Sequence, residues 1–509
     1  MTGHPGAPGP EPLDTVLAAL PGARLVGTAP ATVTGLTDDS RRIVPRGVFV
    51  AVRGLRVDGR QFAAEALSRG AALVVAEPPD PVPGGPGARL LVDDGRAALG
   101  RLAAAFRGHP SRDLVVVGVT GTNGKTTTTY LVEALFRARG LEPGVIGTIA
   151  YRFRHESRPA NQTTPDPLEL QGLLAEVRAG GGGAVVMEVS SHALAQHRVD
   201  GVAFDVGVFT NLTQDHLDFH GTMEAYAAAK GRLFFELLPA SGKPGPVAVL
   251  NGDDPVGARW ARELPGRVLT FGLETGRDIR ARRYASTLAG IELRADTPEG
   301  PLTLVSPLIG EHNVMNLLGA VGVGLALGLS PAQVAEGLAT VSAIPGRLER
   351  VDAGQPFLVV VDYAHTPDAL RRVLEAVRPM TRGRLAVVFG AGGDRDRKKR
   401  PLMGRVAATL ADRVWVTSDN PRTEEPSAII REVAAGLQPE PAGGSVQEPD
   451  RRAAIADALR WAQAGDSVVL AGKGHEPYQV IGTTHHPFDD REVAREILAA
   501  RCGASPCPA

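Results

Sequence analysis

Hydrophobic positions in this chain fall mostly into short, unbroken runs. Leu114-Val115-Val116-Val117-Gly118-Val119, Ala184-Val185-Val186-Met187-Glu188-Val189, Val206-Gly207-Val208-Phe209 and Val247-Ala248-Val249-Leu250 are of this kind. Such runs, rich in β-branched residues and alternating with helical spacing, predict parallel strands buried on both faces. The same texture returns at Leu358-Val359-Val360-Val361, Leu385-Ala386-Val387-Val388-Phe389, Val414-Trp415-Val416 and Ser467-Val468-Val469-Leu470, which predicts a second doubly wound sheet. Nearer the start, Val48 to Val52, Ala72 to Ala76 and Leu90 to Val92 read as strands, with helices over Gln61 to Arg69 and Arg96 to Phe106. Breaks at His109-Pro110-Ser111 and Pro345-Gly346 divide the chain into α/β domains over 13–111, 112–346 and 347–509. Residues 1–12 are mostly Gly, Pro and small residues and are expected to be disordered; the end after Ala500 is expected to fray.

The length of 509 residues agrees with about three domains. A net charge of −1 gives no electrostatic case for a nucleic-acid or membrane partner. Cys502 and Cys507, both at the C-terminal end, make neither a disulfide framework nor a metal site. No basic segment followed by an apolar core opens the chain, so no signal peptide is expected. The longest membrane-like stretch, Val314 to Leu329, is interrupted by Asn316 and several glycines. A cytoplasmic protein, monomeric, is the expectation.

Polar residues collect where the apolar runs stop. In parallel sheets, chemistry gathers at the carboxyl ends of strands. The first run ends in Gly121-Thr122-Asn123-Gly124-Lys125-Thr126-Thr127, followed by the helical spacing of Tyr130 to Phe136. Glycines let backbone N–H groups crowd a phosphate, and a helix N-terminus favours an anion. Lys125 would reach the outer phosphates of ATP, and Thr126 would place a hydroxyl on Mg²⁺. The loop is shorter than a strict P-loop: Val119 stands where the first glycine belongs. Glu188 and His216 follow other strands of the same sheet and could join Thr126 on the metal. The plainer readings are a carboxylate paired with a lysine for Glu188 and a helix cap for His216.

Gly121 to Thr127, Glu188-Val189-Ser190-Ser191-His192 and Asp215-His216-Leu217-Asp218 together resemble the ATP-dependent Mur ligases of peptidoglycan synthesis. Gly310-Glu311-His312-Asn313, Pro345-Gly346-Arg347 and Asp362-Tyr363-Ala364-His365-Thr366-Pro367 extend the resemblance in family order. It spans nearly the whole chain after residue 12. The branch most resembled adds the third amino acid to UDP-N-acetylmuramoyl-L-alanyl-D-glutamate. The resemblance implies a central P-loop-type ATPase domain between a UDP-sugar-binding α/β domain and a Rossmann-like C-terminal domain. It also implies ATP as co-substrate and Mg²⁺ held by Thr126, Glu188 and His216. Asn313 and Arg347 would contact the nucleotide, with Asp362 near its ribose. Lys230 matches a lysine that the family carbamylates to N6-carboxylysine; taken alone it would pass for a solvated helix lysine. Ser40, in Thr37-Asp38-Asp39-Ser40-Arg41, is similar to the element that receives the UDP-sugar. Thr163, Thr164, Ser190, Gln196 and Arg198 are implied to hold the nucleotide-sugar dipeptide.

The added amino acid is expected to be diaminopimelate. Asp419-Asn420-Pro421-Arg422 has the form associated with diaminopimelate-adding members, and lysine-adding relatives lack the arginine. Diaminopimelate carries a second amino-acid head, whose carboxylate a planar guanidinium can bind bidentately. Arg395, Gly472 and Glu476 match the rest of that pocket, with Glu476 suited to the far ammonium; Pro477 departs from the polar residue usual after it. Residues drawn from separate domains imply closure around the substrates. For the proton of the attacking amine no base stands out; His365 is a candidate, though its place equally suits a structural role. The competing readings are a lysine-adding or other Mur or folate-type ligase, a nucleotide-binding regulator without turnover, and a simple kinase or ATPase.

Overall fold

The computed structural model describes residues 10–54, 57–85 and 87–503. It contains three α/β domains, each with its own sheet. By compactness the chain forms two units: 1–282 with 295–302 and 315–337, and 283–294 with 303–314 and 338–509. The first domain and most of the second therefore share one unit, while 283–294, 303–314 and 338–346 group with the third.

In the first domain the strand order is Arg24–Val26, Ala88–Leu91, Leu73–Ala76, Val48–Ala51, Leu36–Thr37. All neighbours are parallel except the outermost pair, Arg24–Val26 with Ala88–Leu91. Helix Gly95–Phe106 covers one face, its start capped by Asp94, which accepts from the Arg96 and Ala97 amides. This helix lies so close to the following domain that a Cβ on Gly100 would fall 2.6 Å from the Asp200 carbonyl oxygen.

Six neighbouring strands of the central sheet run Pro143–Ile146, Ala184–Glu188, Val115–Thr120, Val206–Phe209, Val247–Asn251, Arg267–Gly272, all parallel to one another. Its middle strands are almost wholly buried, as their unbroken apolar runs require. Val115–Thr120 lies between a strand reached on one side and a strand reached on the other, so the chain reverses its winding there. The crevice that opens at such a switch point is where ligands bind in open α/β sheets. The phosphate loop leaves from that strand.

The second unit holds a six-stranded sheet in the order Glu349–Arg350, Leu358–Asp362, Ser467–Ala471, Leu385–Phe389, Arg413–Thr417, Ser445–Glu448. Only Glu349–Arg350 is antiparallel to its neighbour. Trp415 is buried between the sheet and helix Arg451–Trp461, with its indole N–H donating to Asp457 at 2.9 Å.

Several local expectations change. Glu11–Pro12 form a short strand paired with Thr32–Val33, so the expected disordered tail does not extend to residue 12; residues 1–9 lie outside the described ones. The helix expected over Gln61 to Arg69 is a 3-10 turn, Gly59–Phe62, running into helix Ala63–Ser68. Strand Pro143–Ile146 and the antiparallel hairpin Ala150–Phe153 with Glu156–Pro159 were not read from the sequence. The last helix, Asp490–Gly503, continues through Ala500; it includes Cys502, while Cys507 lies outside the described residues.

Candidate active site

The phosphate loop is built by two glycines at positive φ. Gly121 has φ 149° and Gly124 has φ 85°. A Cβ on Gly121 would lie 1.8 Å from Thr210 Oγ1, and one on Gly124 would lie 2.3 Å from Asn316 Oδ1. Both positions thus demand glycine on conformational and steric grounds together. Gly124 precedes helix Lys125–Ala138, whose first amides face the loop. The Asn123 amide donates to Asn211 Oδ1 at 3.0 Å, which braces the loop from strand Val206–Phe209's extension. Thr127 is buried in the first turn of the helix.

Lys125 Nζ donates to the carbonyls of Gly121 and Thr122 at 2.9 and 2.8 Å. Lys230 Nζ donates to the same Gly121 carbonyl at 2.8 Å. Lys230 is only 1% exposed and lies over the Tyr226 ring, 4.5 Å from its centre. Burial, reinforced by the neighbouring Lys125 charge, pushes its pKa well below the usual lysine range. The solvated-lysine reading therefore does not hold. Tyr226 in turn shares a hydrogen bond of 3.1 Å with Thr122 Oγ1.

Glu188 ends strand Ala184–Glu188 and is 1% exposed. Its donors are Thr126 Oγ1 at 3.0 Å, the Thr148 amide at 2.9 Å and Thr148 Oγ1 at 3.0 Å. All are neutral, so the expected alternative of a lysine partner is not what the structure contains. His216 is in the left-handed region at φ 53° and precedes helix Leu217–His220 without capping it through its side chain. Its ring meets His192 edge-on at 4.8 Å, and its pKa is lowered by partial desolvation and by Lys125 and Lys230, against the pull of Asp215. Thr126 and Glu188 are therefore in direct contact, and His216 feels the same two lysines that frame the loop.

Among the described residues, no group of three or more His, Cys, Asp or Glu side chains is arranged to hold a metal. Thr126 and Glu188 make a sparser pair, with His216 under the influence of the same two lysines; so few protein groups suit Mg²⁺, an ion that keeps several waters. A buried carboxylate surrounded by neutral donors also fits a cation, because an uncompensated buried charge is costly.

A second group of side chains extends from this carboxylate. Thr148 Oγ1 lies 3.1 Å from Thr163 Oγ1. Thr164 Oγ1 donates to the Glu188 carbonyl at 2.8 Å and accepts from the Ser190 amide at 3.0 Å. Ser190 caps helix Ser191–Ala195. Arg198 donates to the Thr164 carbonyl at 3.0 Å and, through Nε and Nη2, to Gln196 Oε1 at 3.1 and 2.7 Å. Thr163, Thr164, Ser190, Gln196 and Arg198 thus form one connected set. Ser40 starts the 3-10 turn Ser40–Arg42 and is buried, while the turn is capped by Asp39.

In the second unit, Asp362 ends its strand with its carboxylate accepting from the Leu348 and Ala364 amides, both at 2.8 Å. It anchors the turn that carries Arg347, and Arg347 lies over the Tyr363 ring at 4.8 Å. Burial raises the Asp362 pKa, opposed by Arg347. Asn313 Nδ2 donates to the Ile309 carbonyl at 2.8 Å. The His365 ring is tied to the Tyr363 carbonyl at 2.9 Å, and Lys399 donates to the His365 carbonyl, an arrangement that favours the structural role.

Asp419, Asn420, Pro421 and Arg422 follow strand Arg413–Thr417, and Gly472 follows strand Ser467–Ala471. Gly472 is at φ 111°, and a Cβ there would fall 2.6 Å from Asp419 Oδ2. Asn420 Nδ2 donates to Glu476 Oε2 at 2.8 Å, so the two loops meet. Arg422 has φ 51° and directs Nη1 to the Gly393 carbonyl at 2.8 Å. Its amide donates to Val480 and its carbonyl accepts from Gly482, which fixes it against hairpin Tyr478–Ile481 and Thr484–Pro487. Arg395, exposed, donates to the Asp394 carbonyl at 3.3 Å and is held less firmly.

Sequence reasoning missed Thr148, Tyr226 and Asn316. Thr148 stands just past the end of strand Pro143–Ile146, so the strand-end rule would have found it had the strand been read. For Tyr226 and Asn316 no linear signal exists; their roles come from contacts distant in sequence.

Comparisons with known proteins agree along the chain. Family models match at residues 32–107 (Mur ligase family, catalytic domain), 119–324 (Mur ligase middle domain) and 346–474 (Mur ligase, glutamate ligase domain). A UDP-N-acetylmuramoyl-L-alanyl-D-glutamate--2,6-diaminopimelate ligase of Geobacter metallireducens is 48% identical, covering 93% of this chain and 95% of its own. The ligase of the same name from Geobacillus thermodenitrificans is 46% identical, with coverage of 96% and 99%. A solved structure of a ligase of that name superposes with a TM-score of 0.68 at 35% identity, covering 92% of this chain and 95% of the other. MurF ligase from Thermotoga maritima in complex with ADP, at 22% identity and TM-score 0.59 over 92% and 98% of the two chains, shares the fold.

Proposed function

The chain belongs to the Mur ligase family, and from that membership we propose that it uses ATP to join 2,6-diaminopimelate to UDP-N-acetylmuramoyl-L-alanyl-D-glutamate. The product is a peptidoglycan precursor extended by its third amino acid. The structural observation that carries the reading is the meeting of two strand-end loops. Asn420 bonds Glu476 in the same loop pair that holds Arg422. A carboxylate and a guanidinium carried by two loops that meet would complement the ammonium and carboxylate of a second amino-acid head. Lysine, with a bare ammonium at its far end, would leave Arg422 without its partner.

The γ-phosphoryl group of ATP passes to the D-glutamate side-chain carboxylate, ADP departs, and an acyl phosphate results. The neutral amine of diaminopimelate attacks the acyl carbon, loses a proton, and expels inorganic phosphate. The amides of Gly124, Lys125 and Thr126 and the Lys125 ammonium bind and orient the phosphates and oppose charge on them, while the Thr122 and Asn123 amides are held by Asn211. Asn313 and Arg347 hold the nucleotide. The Asp362 carboxylate, already engaged by two backbone amides, acts on the ribose side by setting the Arg347 turn. Thr163, Thr164, Ser190, Gln196 and Arg198 receive the nucleotide-sugar dipeptide, with Ser40 on the sugar-nucleotide side.

Thr126, Glu188 and His216 would hold Mg²⁺, which when bound neutralises phosphate charge. Lys230 is the site for carbamylation. Its depressed pKa favours the neutral amine, the form whose lone pair adds to CO₂; loss of one amine proton then leaves an anionic carbamate. Two ammonium groups on one carbonyl oxygen would otherwise repel both each other and a cation. The ATP requirement fits the cytoplasmic location expected from the sequence. Peptide-bond formation is tested by incubating the chain with ATP, Mg²⁺, the nucleotide-sugar dipeptide and diaminopimelate, omitting each in turn. Phosphate release and the extended product should both require every component. Phosphate release that proceeds without the amino acid or the dipeptide would support the simple ATPase reading instead.

A further inference from the structure

Lys473 is absent from every role above, yet it is one of the most unusual side chains in the second unit. It sits on the Gly472–Glu476 loop, reaches Asn420 on the other loop, and is 0% exposed. Its Nζ donates to Asn420 Oδ1 at 3.3 Å and to Glu476 Oε2 at 3.4 Å. Asn420 Nδ2 donates to that same Oε2 at 2.8 Å, and Asn420 Oδ1 also accepts from the Val480 amide at 2.9 Å. Every bond made by the Glu476 carboxylate among the described residues therefore falls on Oε2, which leaves Oε1 for a ligand. Burying a lysine costs considerable free energy unless its charge is used.

We infer that Lys473 is a positioning residue for amino-acid recognition: with Asn420 it clamps Glu476 Oε2 and so aims the ionised Oε1 at the far ammonium of the incoming amino acid. The inference rests on the proposed diaminopimelate pocket. Lys473 also settles the charge of that pocket. Asp419 and Glu476 are neighbouring carboxylates, and an internal ammonium offsets one of them, leaving a single negative charge for a single substrate ammonium. The groups facing Glu476 are Lys473 on its own loop, Asp419 after strand Arg413–Thr417, Tyr363 after strand Leu358–Asp362, Tyr478 at the start of the hairpin, and Arg451 on helix Arg451–Trp461. Burial and Asp419 already favour the protonated acid, while Lys473 is the chief opposing charge.

The test is a double-mutant cycle of Lys473→Met and Glu476→Gln, with the KM for diaminopimelate measured from pH 7 to 9.5 alongside kcat and the KM for ATP. Lys473→Met should raise the diaminopimelate KM about tenfold at pH 7, a factor equivalent to about 1.4 kcal/mol, and by more than it lowers kcat. That rise should be largest at the acid end of the range, because loss of Lys473 removes the chief charge that opposes protonation of Glu476. Lys473→Arg, which keeps the charge, should restore most of the affinity and a profile parallel to that of the parent chain. The double variant should match Glu476→Gln alone, since Lys473 acts through Glu476. A pH-independent loss, or losses that add in the double variant, would overturn the inference. If Lys473→Met does not fold, the double variant, which orphans no charge, supplies the comparison with Glu476→Gln. An unchanged diaminopimelate KM in Glu476→Gln would instead defeat the underlying pocket assignment.

Discussion

Replacing Glu188 by Gln separates the charge of this residue from its place in the fold. The side chain accepts at Oε1 from Thr126 Oγ1 and the Thr148 amide, and at Oε2 from Thr148 Oγ1. A glutamine fits this pattern: its carbonyl oxygen can occupy the Oε1 place, and its NH₂ can donate to Thr148 Oγ1, a hydroxyl able to rotate and accept. The exchange costs about 1 kcal/mol or less in stability, since no buried polar atom is left unpaired. Cation binding should suffer far more. Loss of an outer partner of a metal ligand typically costs 10–100-fold in affinity, so neutralising the ligand itself should cost about 100-fold or more. The assay is a Mg²⁺ titration of both ligation rate and nucleotide binding, with thermal unfolding as the control for folding. Glu188→Gln should require about 100-fold more Mg²⁺ for half-maximal binding of nucleotide while melting within a few degrees of the parent chain. An unchanged Mg²⁺ requirement would refute the assignment, and a large fall in melting temperature would show Glu188 to be chiefly structural.

Thr148→Val removes the hydroxyl between Glu188 and Thr163 but keeps the shape; it should raise the Mg²⁺ requirement about 10–100-fold, and Thr148→Ser should restore it in the same titration. With ¹³C-labelled bicarbonate, the chain should show a carbamate carbonyl signal in NMR that is absent from Lys230→Met, and persistence of the signal in that variant would exclude Lys230. Stability should fall as pH drops from about 6.5 towards 4, because His192 and His312 are held neutral with pKa values lowered to about 4, chiefly by burial. Their unfolded forms bind protons across that window and their folded forms do not, so each adds a slope of up to about 1.4 kcal/mol per pH unit. A flat melting temperature across this range would contradict it.

The continuous runs ending at Thr120, Glu188 and Thr417 were legible because a strand buried on both faces leaves no polar positions to confuse the pattern. Polar clusters at their ends then located the phosphate loop, Glu188 and the Asp419 to Arg422 segment. Pro143–Ile146 was missed because Pro and Gly occupy half of so short a strand, and Thr148 was lost with it. Gly290–Thr297 alternates buried and exposed residues, a pattern obscured by searching for unbroken runs. Lys230 and Lys473 show a different limit. Each is a lysine between small or polar neighbours in sequence, and only tertiary contacts make it buried. The two carbonyl-bound lysines on Gly121, and the Thr148 bridge, likewise depend on folded geometry that periodicity does not encode.

Selectivity between two amino acids differing only at the far end tests the central claim most directly. The ratio of kcat/KM for diaminopimelate to that for lysine should be measured for the parent chain and for Arg422→Ala under identical ATP and dipeptide concentrations. A pocket with a fixed guanidinium should give a ratio of about 10³ or more, and Arg422→Ala should lose most of it with little change in the KM for ATP. Equal or better use of lysine by the parent chain, or a ratio untouched by Arg422→Ala, would contradict the account.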